Sequence, residues 1–269
     1  MTWSVKRRQF VLVDNDWAGD PDGLVALAHH LISPSDEVVA VTASFTSPVF
    51  GDPTGSTAHG ARLAGELLGM LGHDVPTVGG ADAPFSGDAR DSAAARTIVE
   101  AARAREIVLV CGGPLTNVAD ALRIDPSIAH ALRLLWVGGT AAGAGNEYNW
   151  VTDAAAAEFV LSRPGLRIDR FPREVYSQLA VSVAELEYGL TAAGEVGQWL
   201  WQRYVELPLP PEADVDPVWP LGDSAPLAVT ALPHAAVRFA AAGGDHRVCE
   251  ALDARLIIGD LFARLRLRR

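Results

Sequence analysis

The chain has 269 residues, 49% of them apolar, with 33 acidic against 22 basic side chains and two cysteines. That length fits one α/β domain, and no central Pro/Gly/Ser-rich linker divides it, so a single domain over 1–269 is expected. The basic residues form no stripe with interleaved aromatics, which argues against a nucleic-acid partner. Cys111 and Cys249 are too few and too far apart for a disulfide framework and fit a reducing cytoplasm, and no run of about eighteen uncharged apolar residues exists to span a membrane.

Lys6, Arg7 and Arg8 precede a short apolar run, Phe10–Val13, that stops at Asp14 and reads as a strand rather than a signal peptide. Further strands are expected at Glu37–Thr42, Val75–Val78, Glu106–Cys111, Leu134–Val137 and Leu166–Phe171. Between them lie helix-periodic stretches at Gly23–Leu31, Ser56–Leu71, Ser92–Ala102, Asn117–Leu122 and Ala154–Leu161. This alternation predicts an α/β fold with a mostly parallel central sheet flanked by helices, Rossmann-like in outline. Helices at Val183–Leu190, Ala193–Val205 and Ala225–Leu232 give a helical C-terminal part, with the Pro-rich Leu207–Pro220 between them as a long loop. Arg247–Ile258 reads as a strand pair and Leu261–Arg269 as a basic amphipathic tail.

Ligands of open parallel sheets bind beyond the carboxyl ends of the strands. The first strand runs directly into Asp14-Asn15-Asp16-Trp17-Ala18-Gly19-Asp20-Pro21-Asp22, which places four carboxylates within nine residues. Capping of the next helix explains one or two of them, Asp22 above all, but not four. Such a group repels itself unless a cation is present, and an oxygen-only set suits Ca²⁺ or Mg²⁺ better than zinc. Later strand ends lead into Ala43-Ser44-Phe45-Thr46-Ser47, Cys111-Gly112-Gly113-Pro114-Leu115-Thr116-Asn117, Asn146-Glu147-Tyr148-Asn149 and, before another helix, Leu221-Gly222-Asp223-Ser224. Taken alone, the Thr116–Asn117 turn is an ordinary strand-to-helix turn. Trp201 and Tyr204, on the helix before the Pro-rich loop, are the preferred candidates to stack on a planar ligand, ahead of Trp17, Tyr148, Trp150 and Trp219.

In their order and spacing these segments resemble the inosine–uridine-preferring nucleoside hydrolases, from Val11 to about Leu232. The resemblance implies that fold and a Ca²⁺-dependent hydrolysis of the N-glycosidic bond of ribonucleosides or related ribosides, as in purine and pyrimidine salvage. By the same likeness Asp16, one of Asp20 and Asp22, the Thr116 carbonyl and Asp223 hold the metal. Asp16 takes the proton of the attacking water, and Asp14 orients the loop. Ser47, Glu147 and Asn149 contact the sugar. A small-molecule nucleoside is the implied partner, and a homodimer or homotetramer the implied assembly.

The chain departs from the family pattern in three places. Its Asp loop is the longer variant, with Gly23 where a second acidic residue is expected; an upstream Asn is replaced near Ala141 or Ala142; and Gly222 stands where many members carry a His beside the leaving base. None of the seven histidines follows a strand end, and none is assigned a role. Two alternatives remain. One is a Ca²⁺-bound sugar or nucleoside sensor without turnover. The other is a haloacid dehalogenase-type phosphatase, which the Asp14-x-Asp16 pair resembles but which Trp17 and the lone upstream Lys6 disfavour.

Overall fold

The computed structural model describes residues 5–88, 90–207, 217–232 and 237–268. Its strands are β1 (Gln9–Asn15), β2 (Asp36–Ala43), β3 (Thr77–Gly79), β4 (Ile107–Cys111), β5 (Leu132–Val137), β6 (Arg167–Phe171), β7 (Ala180–Ser182), β8 (Val218–Pro220), β9 (Val237–Ala241) and β10 (His246–Leu252). Its α-helices are α1 (Asp22–Ile32), α2 (Ser56–Leu71), α3 (Ala93–Ala104), α4 (Thr116–Ile124), α5 (Tyr148–Thr152), α6 (Ala154–Leu161), α7 (Arg173–Tyr176), α8 (Val183–Thr191), α9 (Glu195–Val205), α10 (Leu227–Thr230) and α11 (Ala254–Leu267).

Eight strands form one sheet in the order β3-β2-β1-β4-β5-β6-β10-β9, parallel throughout except for β9 against β10. The central strands read as unbroken apolar runs because both of their faces are covered: β4 is buried at all five positions and β1 from Val11 to Asn15. Leu24, Leu27, Leu63, Leu67, Leu200 and Ile257 build the core on one face, from α1, α2, α9 and α11. Ile98, Val118, Leu122 and Val160 build it on the other, from α3, α4 and α6.

Chain order reverses at β1. The sequence first winds outward through β2 and β3, then returns to lay β4 on the opposite side of β1, with Asp14 in register with Cys111. A crevice opens at the carboxyl ends where two crossovers diverge, and the Asp loop leaves β1 at that point.

The six expected strands and the first five helices stand within a few residues of their expected bounds. The C-terminal reading is corrected. β10 pairs with the upstream β9, and the chain turns helical at Ala254, where the Asp253 side chain accepts from Leu256 N–H. The apolar residues after Leu252 therefore face a core at helical spacing. Leu261, Phe262 and Leu265 are buried in it, so the expected tail is the second half of α11 up to Leu267, and Arg269 lies outside the described residues. Most of the expected 207–220 loop also lies outside them, while β8 within it pairs antiparallel with β7. The expected helix at Ala225–Leu232 is the short α10, preceded by a 3₁₀ turn at Gly222–Ser224. Both cysteines are free and buried. Among the described residues no helix is long and apolar enough to cross a membrane.

Candidate active site

Asp14, next to last in β1, is fully buried beneath the crevice. Its Oδ1 accepts from Thr42 Oγ1 (2.5 Å) and Asn117 Nδ2 (2.7 Å), tying β1 to β2 and to the start of α4. Burial pushes its carboxyl up to about 6 despite those donors. It lies behind the crevice, as an anchor of the loop.

Asn15 does a second job. Its Oδ1 accepts from Asp16 N–H (2.8 Å) and its Nδ2 donates to Asp223 Oδ2 (2.8 Å), so one amide ties Asp16 to Asp223, 208 positions beyond Asn15. Two glycines clear the space. A Cβ on Gly23 or on Gly112 would lie 2.5 Å from Asn15 Nδ2, and one on Gly112 also 2.9 Å from Asp223 Oδ1. The glycine in place of an expected acidic residue at 23 is thus required by this bridge.

Beyond the bridge lies a cavity of about 280 Å³ whose acidic lining is Asp16, Asp20, Asp22, Glu147 and Asp223. Among the described residues its lining contains no Lys, Arg, His or Cys. Burial raises Asp16 and Asp22, and the charge of Asp223 raises both further; burial brings Asp223 itself up to about 7 and Asp20 up to about 6. Like charges crowded in low dielectric favour either a proton or a cation. Among the described residues the carboxylates are not closed into a ready-made metal cage of three or more His, Cys, Asp or Glu. Several of their oxygens are instead turned to local donors: Asp22 Oδ2 accepts from Asp223 N–H (3.0 Å), and Asp20 Oδ1 from Asp22 N–H (3.1 Å) and Trp219 Nε1 (3.2 Å). As a donor set they are all hard oxygens without a basic counter-ion, which fits Ca²⁺ or Mg²⁺ and no softer metal. Asp20 and Asp22 both line the cavity.

The remaining walls come from β5, α5 and α7. Glu147 caps α5, its Oε2 accepting from Gly139 N–H (2.7 Å) and Trp150 N–H (3.0 Å), which leaves Oε1 for Tyr176 Oη (3.0 Å). Asn149 donates through Nδ2 to the carbonyls of Gly112 (2.6 Å) and Val137 (2.9 Å); its buried Oδ1 has no partner among the described residues. Tyr148 Oη donates to Asp16 Oδ2 (3.0 Å) and accepts from Ser47 N–H (3.2 Å).

Several expected site residues sit elsewhere. Thr116 does not line the cavity. Its Oγ1 is bound to Asp153 (2.6 Å), and Gly112, four residues earlier in the same turn, lines it instead. Ser47 lies behind Tyr148, in a neighbouring cavity. Trp201 and Tyr204 stack on each other at 6.0 Å, and Tyr204 meets Trp219 edge-on at 5.4 Å, a cluster that touches the site through the Trp219–Asp20 bond. Trp17 is core, its Nε1 donating to the Thr42 carbonyl. Asn15, Gly112 and Tyr176 were not singled out in the sequence. Tyr176 explains Gly222: a Cβ there would lie 2.8 Å from Tyr176 Cδ2, so the phenol ring fills the space of a side chain at 222.

Comparison with known proteins agrees with this geometry. A family model described as "Inosine-uridine preferring nucleoside hydrolase" matches residues 11–248. The chain is 33% identical over 107 residues to the pyrimidine-specific ribonucleoside hydrolase RihB of Escherichia coli O17:K52:H18, a match covering 37% of this chain and 33% of that relative's length. Among solved structures it resembles an inosine-guanosine nucleoside hydrolase with a TM-score of 0.75 at 18% identity, over 96% of this chain and 98% of the other. It also resembles the purine-preferring ribonucleoside hydrolase from Gardnerella vaginalis, with a TM-score of 0.72 at 18% identity and the same coverage. A match over most of the chain, with the Asp loop and Asp223 meeting at the reversal of an eight-stranded sheet, places the chain in the inosine-uridine preferring nucleoside hydrolase family.

Proposed function

We propose that the protein hydrolyses the N-glycosidic bond of ribonucleosides or related ribosides, releasing base and ribose, with Ca²⁺ held by Asp16, Asp22 or Asp20, Asp223 and a carbonyl of the Gly112–Thr116 turn. One observation carries the reading: four aspartates from two distant segments converge on one cavity that, among the described residues, holds no basic side chain. Cleavage of a ribosyl C–N bond passes through an oxocarbenium-like species, so it needs a water, a base and negative charge around the sugar. The carboxylates supply the last two. When bound, the cation supplies positive charge that gathers the vicinal ribose hydroxyls and acidifies a water.

Asp16 takes that water's proton, its Oδ2 steadied by Tyr148. Glu147 Oε1 and the unpartnered Asn149 Oδ1 accept hydrogen bonds from the ribose hydroxyls. Asp14 and Asn15 stay behind the site and fix Asp16 and Asp223. The substrate is a small nucleoside, and the setting a cytoplasmic salvage route served by a homo-oligomer.

The test is to incubate Ca²⁺-loaded protein with a panel of nucleosides and measure released ribose. Asp16→Asn keeps an oxygen for the metal but loses the base, so kcat should fall far more than ligand affinity. Turnover by Asp16→Asn at the parent rate would remove Asp16 from its role. Calcium and ribose binding without any cleavage would favour the sensor.

A further inference from the structure

The short helix α7 clasps the segment that runs from β5 to α5. Arg173 N–H donates to the Gly139 carbonyl (3.0 Å) and Arg173 Nη1 to the Asn146 carbonyl (2.8 Å), while Ala141 N–H donates to Glu174 Oε2 (2.9 Å). That segment ends at Glu147. On the other side, Leu179 N–H donates to the Tyr176 carbonyl (3.0 Å) and Leu221 N–H to the Leu179 carbonyl (2.8 Å), which ties α7 to the turn bearing Gly222 and Asp223. Two walls of the carboxylate cavity, from distant parts of the chain, therefore hang on one helical turn.

Tyr176, the last residue of α7, spans them with its side chain. Its Oη donates to Glu147 Oε1 (3.0 Å), and its ring takes the space of a side chain at 222, with Cδ2 2.8 Å from where a Cβ on Gly222 would lie. Tyr176, Glu147, Gly222 and Asp223 all line the cavity. Glu147 is only 1% exposed, and its Oε2 is held by Gly139 N–H and Trp150 N–H. A carboxylate oxygen accepts more than one hydrogen bond, so Oε1 keeps room for a ligand hydroxyl beside the phenol. Burial, and then the charge of Glu147, pushes the Tyr176 phenol well above its ordinary range, so its hydroxyl stays a donor at neutral pH.

Resting on the hydrolase reading above, we propose that Tyr176 is a positioning residue for the sugar, setting the spacing between Glu147, which receives a ribose hydroxyl, and Asp223 on the metal side of the cavity. The ring fixes where the phenol stands against the turn before Asp223, and the hydroxyl carries that position to Glu147 Oε1. A sugar must reach Glu147 and the aspartates at the same time, so its binding depends on this spacing. A cation held by the aspartates alone does not.

Tyr176→Phe keeps the ring against Gly222 and removes only the hydroxyl. In saturating Ca²⁺, ribose affinity of the variant measured by NMR should fall about 10-fold or more, as loss of a hydrogen bond to a charged group does, while Ca²⁺ affinity in calorimetry without sugar stays within about twofold. On nitrophenyl riboside KM should rise by a similar factor and kcat should change by less than about threefold, the mark of lost sugar binding. Unchanged ribose affinity, or no ribose binding by the wild type, would overturn the role of Tyr176. An equal loss of Ca²⁺ affinity would overturn it too, because it marks a site distorted as a whole. Ribose binding that the variant weakens, with no cleavage of any riboside by the wild type, supports the role and refutes only hydrolysis. Cleavage by both proteins with equal ribose affinity refutes only the role.

Discussion

Asp14 is a carboxyl sealed beneath the site, and Asp14→Asn measures what that charge costs. Its folded-state value of about 6 lies above the ordinary 3.8, so the folded protein holds this proton more tightly than the unfolded chain does. Below about pH 4 both states are protonated and the charge costs nothing. As the pH rises from about 4 to 6, the unfolded chain ionises first and stability falls. A shift of roughly two units corresponds to about 3 kcal/mol, fully lost above about pH 6. Asparagine keeps an oxygen for Thr42 and Asn117 and has no proton to lose. Urea unfolding of both proteins in chelator, from pH 4 to 7.5, should show the variant gaining on the parent by about 3 kcal/mol across that window and level beyond it. Parallel curves would refute the claim that burial, rather than its hydrogen bonds, governs Asp14.

Other expectations concern the walls of the site. Adding Ca²⁺ should raise the melting temperature, with a stabilisation of about 2.7 kcal/mol at a hundredfold excess over Kd that chelator reverses, and a flat melting temperature at millimolar Ca²⁺ would remove the metal from the account. Gly112→Ala thrusts a methyl into the Asn15–Asp223 bridge and should lower Ca²⁺ affinity by about 10–100-fold in calorimetry; unchanged affinity would mean the bridge does not place Asp223. Gly222→Ala meets the Tyr176 ring and should cost about 1–3 kcal/mol in urea unfolding. That cost should vanish in a Tyr176→Ala background, and simple additivity of the two changes would show that the ring does not fill the gap.

The central sheet is legible because its strands are buried on both faces and announce themselves as short β-branched runs, with Asp14 marking the end of the first. The carboxylates of the cavity are legible for a related reason: three of them crowd one loop together with Asp14, and capping has no use for all that charge. What the residues hold on to is not legible. Asn15 and Tyr176 act through partners 208 and 29 positions away, and nothing local distinguishes an amide that bridges two segments from one that forms a turn. The start of α11 was read as strand because Leu252–Ile258 is a short apolar run of ambiguous period, settled only by the Asp253 cap and the core it meets.

Helix α1, which opens with Asp22, is braced from behind by the far end of the chain. His29 Nε2 lies 2.9 Å from Asp260 Oδ2 on α11, and Arg264 Nε reaches the same oxygen at 2.5 Å. The Asp loop and α1 thus wait for partners made more than two hundred residues later, Asp223 for Asn15 and Asp22, and Asp260 for His29. Closing loops of that length is entropically slow compared with forming any single βαβ unit. During synthesis, Asp14 meets Thr42 and Asn117 early, but Asn15 and Asp22 are without Asp223 until most of the chain is made. A proteolytic cut between β10 and α11, remote from every residue in the cavity, would loosen the brace behind α1.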